Sequence, residues 1–147
     1  RISKEHAHYL RYLMTRGQIL LIVKVSSTPQ NGTSRLFKEV LGILANLPVY
    51  SITTGSVAIG FISSDDASSK CAYVAILVKT HSPRKRGQIG NDIIREILDG
   101  CLVDARVTAV GHNLPAPCGL IPTFKHHVDE GRLHGIPQQD LHALCWR

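Results

Sequence analysis

The sequence predicts an α+β fold built from two β-α-β halves. Short runs of branched apolar residues alternate with two stretches of helical periodicity. The 147 residues match the size of one domain, and 44% are apolar against 19% charged, as in a globular chain rather than a disordered one. We therefore expect a mixed four-stranded sheet with helices on one face, plus an N-terminal helix and an extended C-terminal tail.

The chain divides into three segments. We expect an N-terminal helical extension over residues 1–17, a β-α-β-β-α-β domain over 18–111 and a proline-containing tail over 112–147. The first segment holds four basic residues and one acid, Glu5. This composition is typical of the flank of an organellar transit peptide, and also of an amphipathic helix. Both interpretations stay open.

The first β-α-β half begins with an apolar run over residues 19–25, which predicts a buried strand. A loop follows, and Thr33 or Ser34 can cap the next helix. The apolar face of this helix recurs at helical spacing: Leu36, Phe37, Val40, Leu41 and Leu44. Pro48 ends the helix.

The second half begins with strands over residues 56–62 and 72–78, which suit an antiparallel hairpin with a loose loop. Ser82 and the proline after it predict a helix start, and Gly100 marks its end. A last strand follows over 105–110. Because a crossover of this length normally joins parallel strands, we expect parallel pairs with both helices on one face of the sheet.

The other face of the sheet must also be covered. The N-terminal helix, the tail or a second subunit can cover it, so we expect self-association. Four prolines argue against a long helix in the tail: Pro115, Pro117, Pro122 and Pro137. We expect the tail to wrap around the domain or to reach a neighbour, with its last apolar residues in a groove: Leu141, Leu144 and Trp146.

The charge balance favours an anionic partner. Seventeen Lys and Arg against eleven Asp and Glu give a net charge of +6, so other protein subunits and nucleic acid are both candidate partners. No segment approaches the ~20 apolar residues that cross a bilayer. The four cysteines form no closely spaced pair, which argues against structural zinc and favours a reducing compartment.

We predict neither a metal nor a cofactor. Four of the eight histidines suggest a metal site, but they lie in a proline-interrupted part of the tail rather than on one helix face: His126, His127, His134 and His142. A nucleophilic pair of Cys118 with His112 is a further alternative, although no pattern marks it. No glycine-rich phosphate loop is present in the sequence.

Several segments together resemble the tautomerase superfamily, most nearly its 5-carboxymethyl-2-hydroxymuconate isomerases. The resemblance rests on residues 36–40 of the first helix, residues 72–79 of the third strand and Arg84. Residues 122–125 and 141–144 of the tail are similar to the family's closing residues. The resemblance implies a trimer with sheets around a central barrel and an active site at each subunit contact.

The resemblance also implies a mechanism that this chain departs from. The family uses an N-terminal proline as general base and arginines as carboxylate ligands. Here the matching position falls near Gln18, whose amide nitrogen lies inside the chain and cannot accept a proton. Of the arginines only Arg84 matches, as a substrate-binding residue or as a solvated residue of a helix's first turn. No catalytic residue is identified.

We therefore expect a non-catalytic tautomerase-fold protein, a pseudoenzyme that serves as a structural subunit of a larger assembly. We expect this assembly in mitochondria, and otherwise in the cytoplasm. The alternative is an isomerase of tautomerase type that converts a small enol or an unsaturated dicarboxylate, with Arg84 as the carboxylate clamp.

Overall fold

The fold is taken from a computed structural model, which describes residues 18–26, 32–46, 57–63, 71–79, 92–97, 105–111, 120–141 and 144. The predicted N-terminal helix lies outside these residues. The start of the predicted second helix, with Arg84, also lies outside them.

Five strands, three α-helical segments and a short 3-10 helix make up the described part of the chain. In chain order they are β1 (Ile19–Ser26), α1 (Gly32–Asn46), β2 (Val57–Ile62), β3 (Cys71–Val78), α2 (92–97), β4 (Ala105–Gly111), α3 (Leu120–Asp129), β5 (Leu133–His134) and the 3-10 helix Gln138–Leu141. The four predicted strands are confirmed to within one residue at each end. None of the described helices is both long enough and apolar enough to span a bilayer.

The strands form an antiparallel sheet with the order β4-β1-β3-β2-β5. β3 pairs with both β1 and β2, and β4 pairs with β1, in each case antiparallel. The expected parallel pairs of a mixed four-stranded sheet are therefore wrong for these strands. The crossover through α1 does leave β1 and β2 pointing the same way, but β3 lies between them and pairs with both.

The first face of the sheet packs against α1 and α2. Alternate residues of the strands point to this face, and the two helices add their apolar stripes. The core of this layer consists of Ile19, Leu21, Val23, Leu36, Val40, Leu44, Val57, Ile59, Ala72, Val74, Ile76, Val78, Ile93, Ile94, Ile97 and Val107. The predicted helix-covered face is thus present.

The second face is covered by the chain's own C-terminal segment. Its core consists of Leu20, Ile22, Ile62, Tyr73, Ala75, Leu77, Val110, Leu120, Ile121, Phe124, Val128, Ile136, Leu141 and Leu144. The expectations of helices on one face only and of an extended tail are both wrong here. Pro122 is compatible with α3 because it lies in the first turn, where backbone N–H groups have no partner within the helix.

A tight turn joins α3 to β5. Gly131 has a positive φ of 75°, its N–H donates to the carbonyl of Val128, and the next N–H, of Arg132, donates to the carbonyl of His127. This is the Schellman pattern that satisfies the last carbonyls of a helix. The Arg132 carbonyl then accepts bonds from the backbone N–H and the hydroxyl of Ser63. These bonds bring β5 onto the edge of β2.

We expect Phe124→Ala to destabilise the fold by about 3–5 kcal/mol, because the ring is completely buried against the second sheet face. Urea unfolding measures the change in the free energy of unfolding. Thr123→Ala is the control, since Thr123 is the exposed neighbour on the same helix. Equal losses in the two variants would show that α3 does not pack as described.

Gly135 and Gly131 form a matched pair for a second test. Both have a positive φ, and alanine costs about 1–2 kcal/mol in such a conformation. A Cβ at Gly131 meets nothing within 4 Å, whereas one at Gly135 lies 2.6 Å from the carbonyl oxygen of Ile59. We expect Gly135→Ala to lower the thermal midpoint clearly more than Gly131→Ala. An equal shift would contradict the close approach of β5 to β2.

Candidate functional site

The start of β1 is where the family resemblance places the active site, and β1 does begin directly after Gln18. Because Ile19 pairs with Val78, Lys79 lies at the same end of the sheet. The 3-10 helix of the C-terminal segment adds Asp140 to this end. We call Gln18, Lys79 and Asp140 the sheet-end cluster.

Asp140 contacts both other members of the sheet-end cluster. Gln18 Nε2 donates to the backbone carbonyl of Asp140 at 3.5 Å, and Lys79 Nζ lies 3.9 Å from the Oδ2 carboxylate oxygen of Asp140. The ion pair is partly exposed, so it contributes no more than about 1 kcal/mol. Gln18 therefore links the start of β1 to a segment that is 122 residues away along the chain.

The side-chain oxygen of Gln18 is buried and has no hydrogen-bond donor within the described part of the chain. The bond from Nε2 to the Asp140 carbonyl fixes the orientation of the amide, since a flipped amide would place two acceptors face to face. An amide is neutral at every working pH. At this position the chain therefore offers hydrogen bonding but no proton-accepting amine.

Of these three residues only Gln18 was predicted from the sequence to lie at a site, and Lys79 and Asp140 were not. Lys79 could have been found, because it directly follows a strand that was predicted to pair within the sheet. Asp140 carries no local signal, since only the fold of the C-terminal segment brings it to Gln18. Arg84, Cys118, His112 and His142 lie outside the described residues, so the structure does not place them.

The three described histidines of the tail lie in two different places. His126 and His127 are neighbours on α3 with ring centroids 6.3 Å apart, and His134 on β5 packs its ring 5.4 Å from that of Phe61. Across the ranges given above, no three His, Cys, Asp or Glu residues are grouped so that they could hold a metal ion.

His127 is held by two contacts above the second sheet face. Its ring lies 5.4 Å from the Tyr73 ring between centroids, and its Nδ1 accepts a hydrogen bond from Arg132 Nε at 3.0 Å. Since Nδ1 is the acceptor, the neutral ring carries its proton on Nε2. Burial lowers the pKa of His127, and the charges of Arg132 and His126 lower it further.

Tyr73 lies on β3 and is buried below two residues of α3, Phe124 and His127. Burial raises the pKa of its phenol, and the neighbouring Cys71 adds to this shift. The phenol therefore stays protonated near neutral pH and can donate a hydrogen bond. Tyr73, His127 and Arg132 thus form a set of neutral and cationic donors at one border of α3.

No family model, curated protein or solved structure matches the chain. The architecture alone defines its class, an α+β protein whose antiparallel sheet lies between two layers.

We expect His127 to make stability depend on pH. Its pKa in the folded chain lies below the value of about 6.5 in the unfolded chain, so the unfolded chain binds the proton first as the pH falls. The stability due to the neutral ring is complete above about pH 6.5 and is lost as the pH falls toward the folded-state pKa. Urea midpoints across this range measure the loss.

His127→Asn removes the titration but keeps an acceptor near the position of Nδ1. This variant should lose less stability on acidification than the original chain. His134→Asn is the control, because His134 is an exposed histidine on β5 and is not among the groups that shift the pKa of His127. If both variants kept the original pH dependence, another group would be responsible for it.

Proposed function

We propose that the chain is a non-catalytic, tautomerase-like protein that serves as a structural subunit of a larger assembly. In this proposal β1 to β4 with α1 and α2 correspond to the two β-α-β halves of the family's unit in chain order, although not in strand pairing. The observation that carries it is the sheet-end cluster. A neutral amide, Gln18, stands where the family has a basic amine, and its side chain bonds to the Asp140 carbonyl.

The C-terminal segment that covers the second sheet face supports a mode of assembly that differs from the family's trimer. The family's trimer, as the resemblance implies it, needs this face for the central barrel. In the described part of the chain, α3 and the residues after it occupy that face with Phe124 and Leu141 buried. Self-association through an open sheet face is thus no longer needed on physical grounds. We propose that partner subunits bind the outer surfaces instead.

The charge of the chain supports anionic partners. The net charge of +6 favours an acidic protein surface, and contact with nucleic acid follows from the same chemistry. The excess of basic residues in the first seventeen positions supports a mitochondrial location. A cytoplasmic location is the alternative.

A second candidate function is an isomerase of tautomerase type, and Asp140 is the observation that favours it. A carboxylate beside Gln18 could take the hydroxyl proton of a small enol while a solvent proton adds to carbon. Lys79, 3.9 Å from Asp140, and Arg84 would hold the substrate carboxylate. In this alternative Asp140 replaces the family's amine as the base.

Ketonisation of phenylenolpyruvate distinguishes the two functions. We expect the purified chain to leave the rate at the buffer value, because no amine base is present at Gln18. Asp140→Asn and Arg84→Ala are the matched variants. Turnover above the buffer rate that both substitutions abolish would refute the non-catalytic proposal and establish the isomerase.

The native mass tests the structural role directly. We expect the protein from its own cells to elute in a complex much heavier than its 16.1 kDa chain, and analysis of that peak identifies the other subunits. Elution as a monomer under native conditions would contradict the proposal, whatever the outcome of the ketonisation assay.

A further inference from the structure

Two cations face each other on neighbouring strands at one edge of the sheet, which β4 forms. Lys24 on β1 pairs with Arg106 on β4 at one side and with Tyr73 on β3 at the other. Directly paired residues of an antiparallel sheet point to the same face, with Cβ atoms about 4.5–5.5 Å apart. The two cationic side chains therefore start from neighbouring positions.

Both cations lie on the second face of the sheet. Ile22 and Val110 belong to the core of that face, and Lys24 and Arg106 lie an even number of residues from them on the same strands. Tyr73, in the same row, is covered by α3 through Phe124 and His127. Lys24 is half-buried and Arg106 is exposed, so the pair stands at the border between covered sheet and solvent.

No carboxylate neutralises this pair within the described ranges. The ion pairs there involve Arg35, Lys79, Arg95, Lys125 and His126, and neither Lys24 nor Arg106 forms one. Like charges placed directly opposite each other destabilise a sheet. An anion that binds both cations would remove this repulsion.

We propose that Lys24 and Arg106 bind the phosphate group of a small molecule, with Tyr73 forming the inner wall of the site. Two adjacent positive charges match a phosphate dianion, whereas a single carboxylate neutralises only one of them. Arg106 supplies a planar fork of N–H donors and Lys24 a compact charge, a combination suited to phosphate oxygens.

This site is separate from the sheet-end cluster. Lys24 lies six positions after Gln18 along the extended chain, which corresponds to about 20 Å. The inference therefore does not depend on the proposed structural role, and a negative result for either leaves the other intact.

Inorganic phosphate is the probe, and unfolding by urea is the measurement. The chain is unfolded slightly above neutral pH in phosphate, in acetate and in chloride, all at the same ionic strength. We expect phosphate to raise the unfolding midpoint, with a rise that follows the logarithm of its concentration above the dissociation constant, and acetate to match chloride. Lys24→Gln and Arg106→Gln should each weaken the apparent phosphate affinity about tenfold.

The same variants give a second, independent readout without phosphate. Because each substitution removes the repulsion, both variants should be at least as stable as the original chain in chloride. Lys125→Gln is the matched control, since Lys125 is a cation of α3, the helix that covers this face, and is paired with Asp129 at 2.8 Å. This control should keep the full response to phosphate.

Three results would overturn the proposal. The first is an original chain whose midpoint in phosphate does not exceed that in chloride. The second is an unchanged phosphate response in Lys24→Gln and Arg106→Gln. The third is a loss of stability in chloride for both variants, which would mean that the cations are already neutralised. Circular dichroism of each variant confirms that it is folded before these comparisons are made.

Discussion

The two central strands bury side chains on both of their faces, and the rest of the architecture follows from this constraint. In β1 the consecutive residues Leu20 and Leu21 are both fully buried, although they point to opposite faces. In β3 the same holds for Ile76 and Leu77. A sheet of this kind needs a layer on each side. α1 and α2 provide one layer, and the C-terminal segment provides the other.

The second layer depends on how closely the C-terminal segment approaches the edge of the sheet. β5 lies so near β2 that a Cβ at Gly60 would stand 2.6 Å from the carbonyl oxygen of His134. Because glycine has no Cβ, the backbones of β2 and β5 can approach each other closely at Gly60. The α3–β5 turn then fixes Arg132, whose carbonyl binds Ser63 and whose side chain binds His127. The environment of His127 is thus a consequence of the way the second layer is attached.

Local patterns predicted the elements well, because strand runs and helix periodicity are properties of neighbouring residues. The order of the strands depends on long-range contacts, so the insertion of β3 between β1 and β2 was not predicted. The helix α3 was not predicted in the tail, because a proline disrupts the interior of a helix. Pro122 lies in the first turn of α3, where proline is tolerated. Of the residues of the candidate site, Gln18 could be predicted because it stands at the start of a predicted strand. Asp140 could not be predicted, because only the fold of the C-terminal segment brings it to Gln18.

Two of the polar groups that have no partner among the described residues lie at the ends of β1. Directly before β1, Gln18 holds a buried oxygen with no donor among the described residues. Near the other end of β1, Lys24 stands opposite Arg106, and no carboxylate of the described ranges pairs with either cation. A buried acceptor without a partner costs about 1–3 kcal/mol, and opposed like charges add to the cost. This cost in free energy is already present in the unbound chain. A ligand that supplies the missing partner removes the cost, and its binding becomes more favourable by the same free energy. Among the described residues, the two ends of β1 are therefore where we expect a ligand to bind.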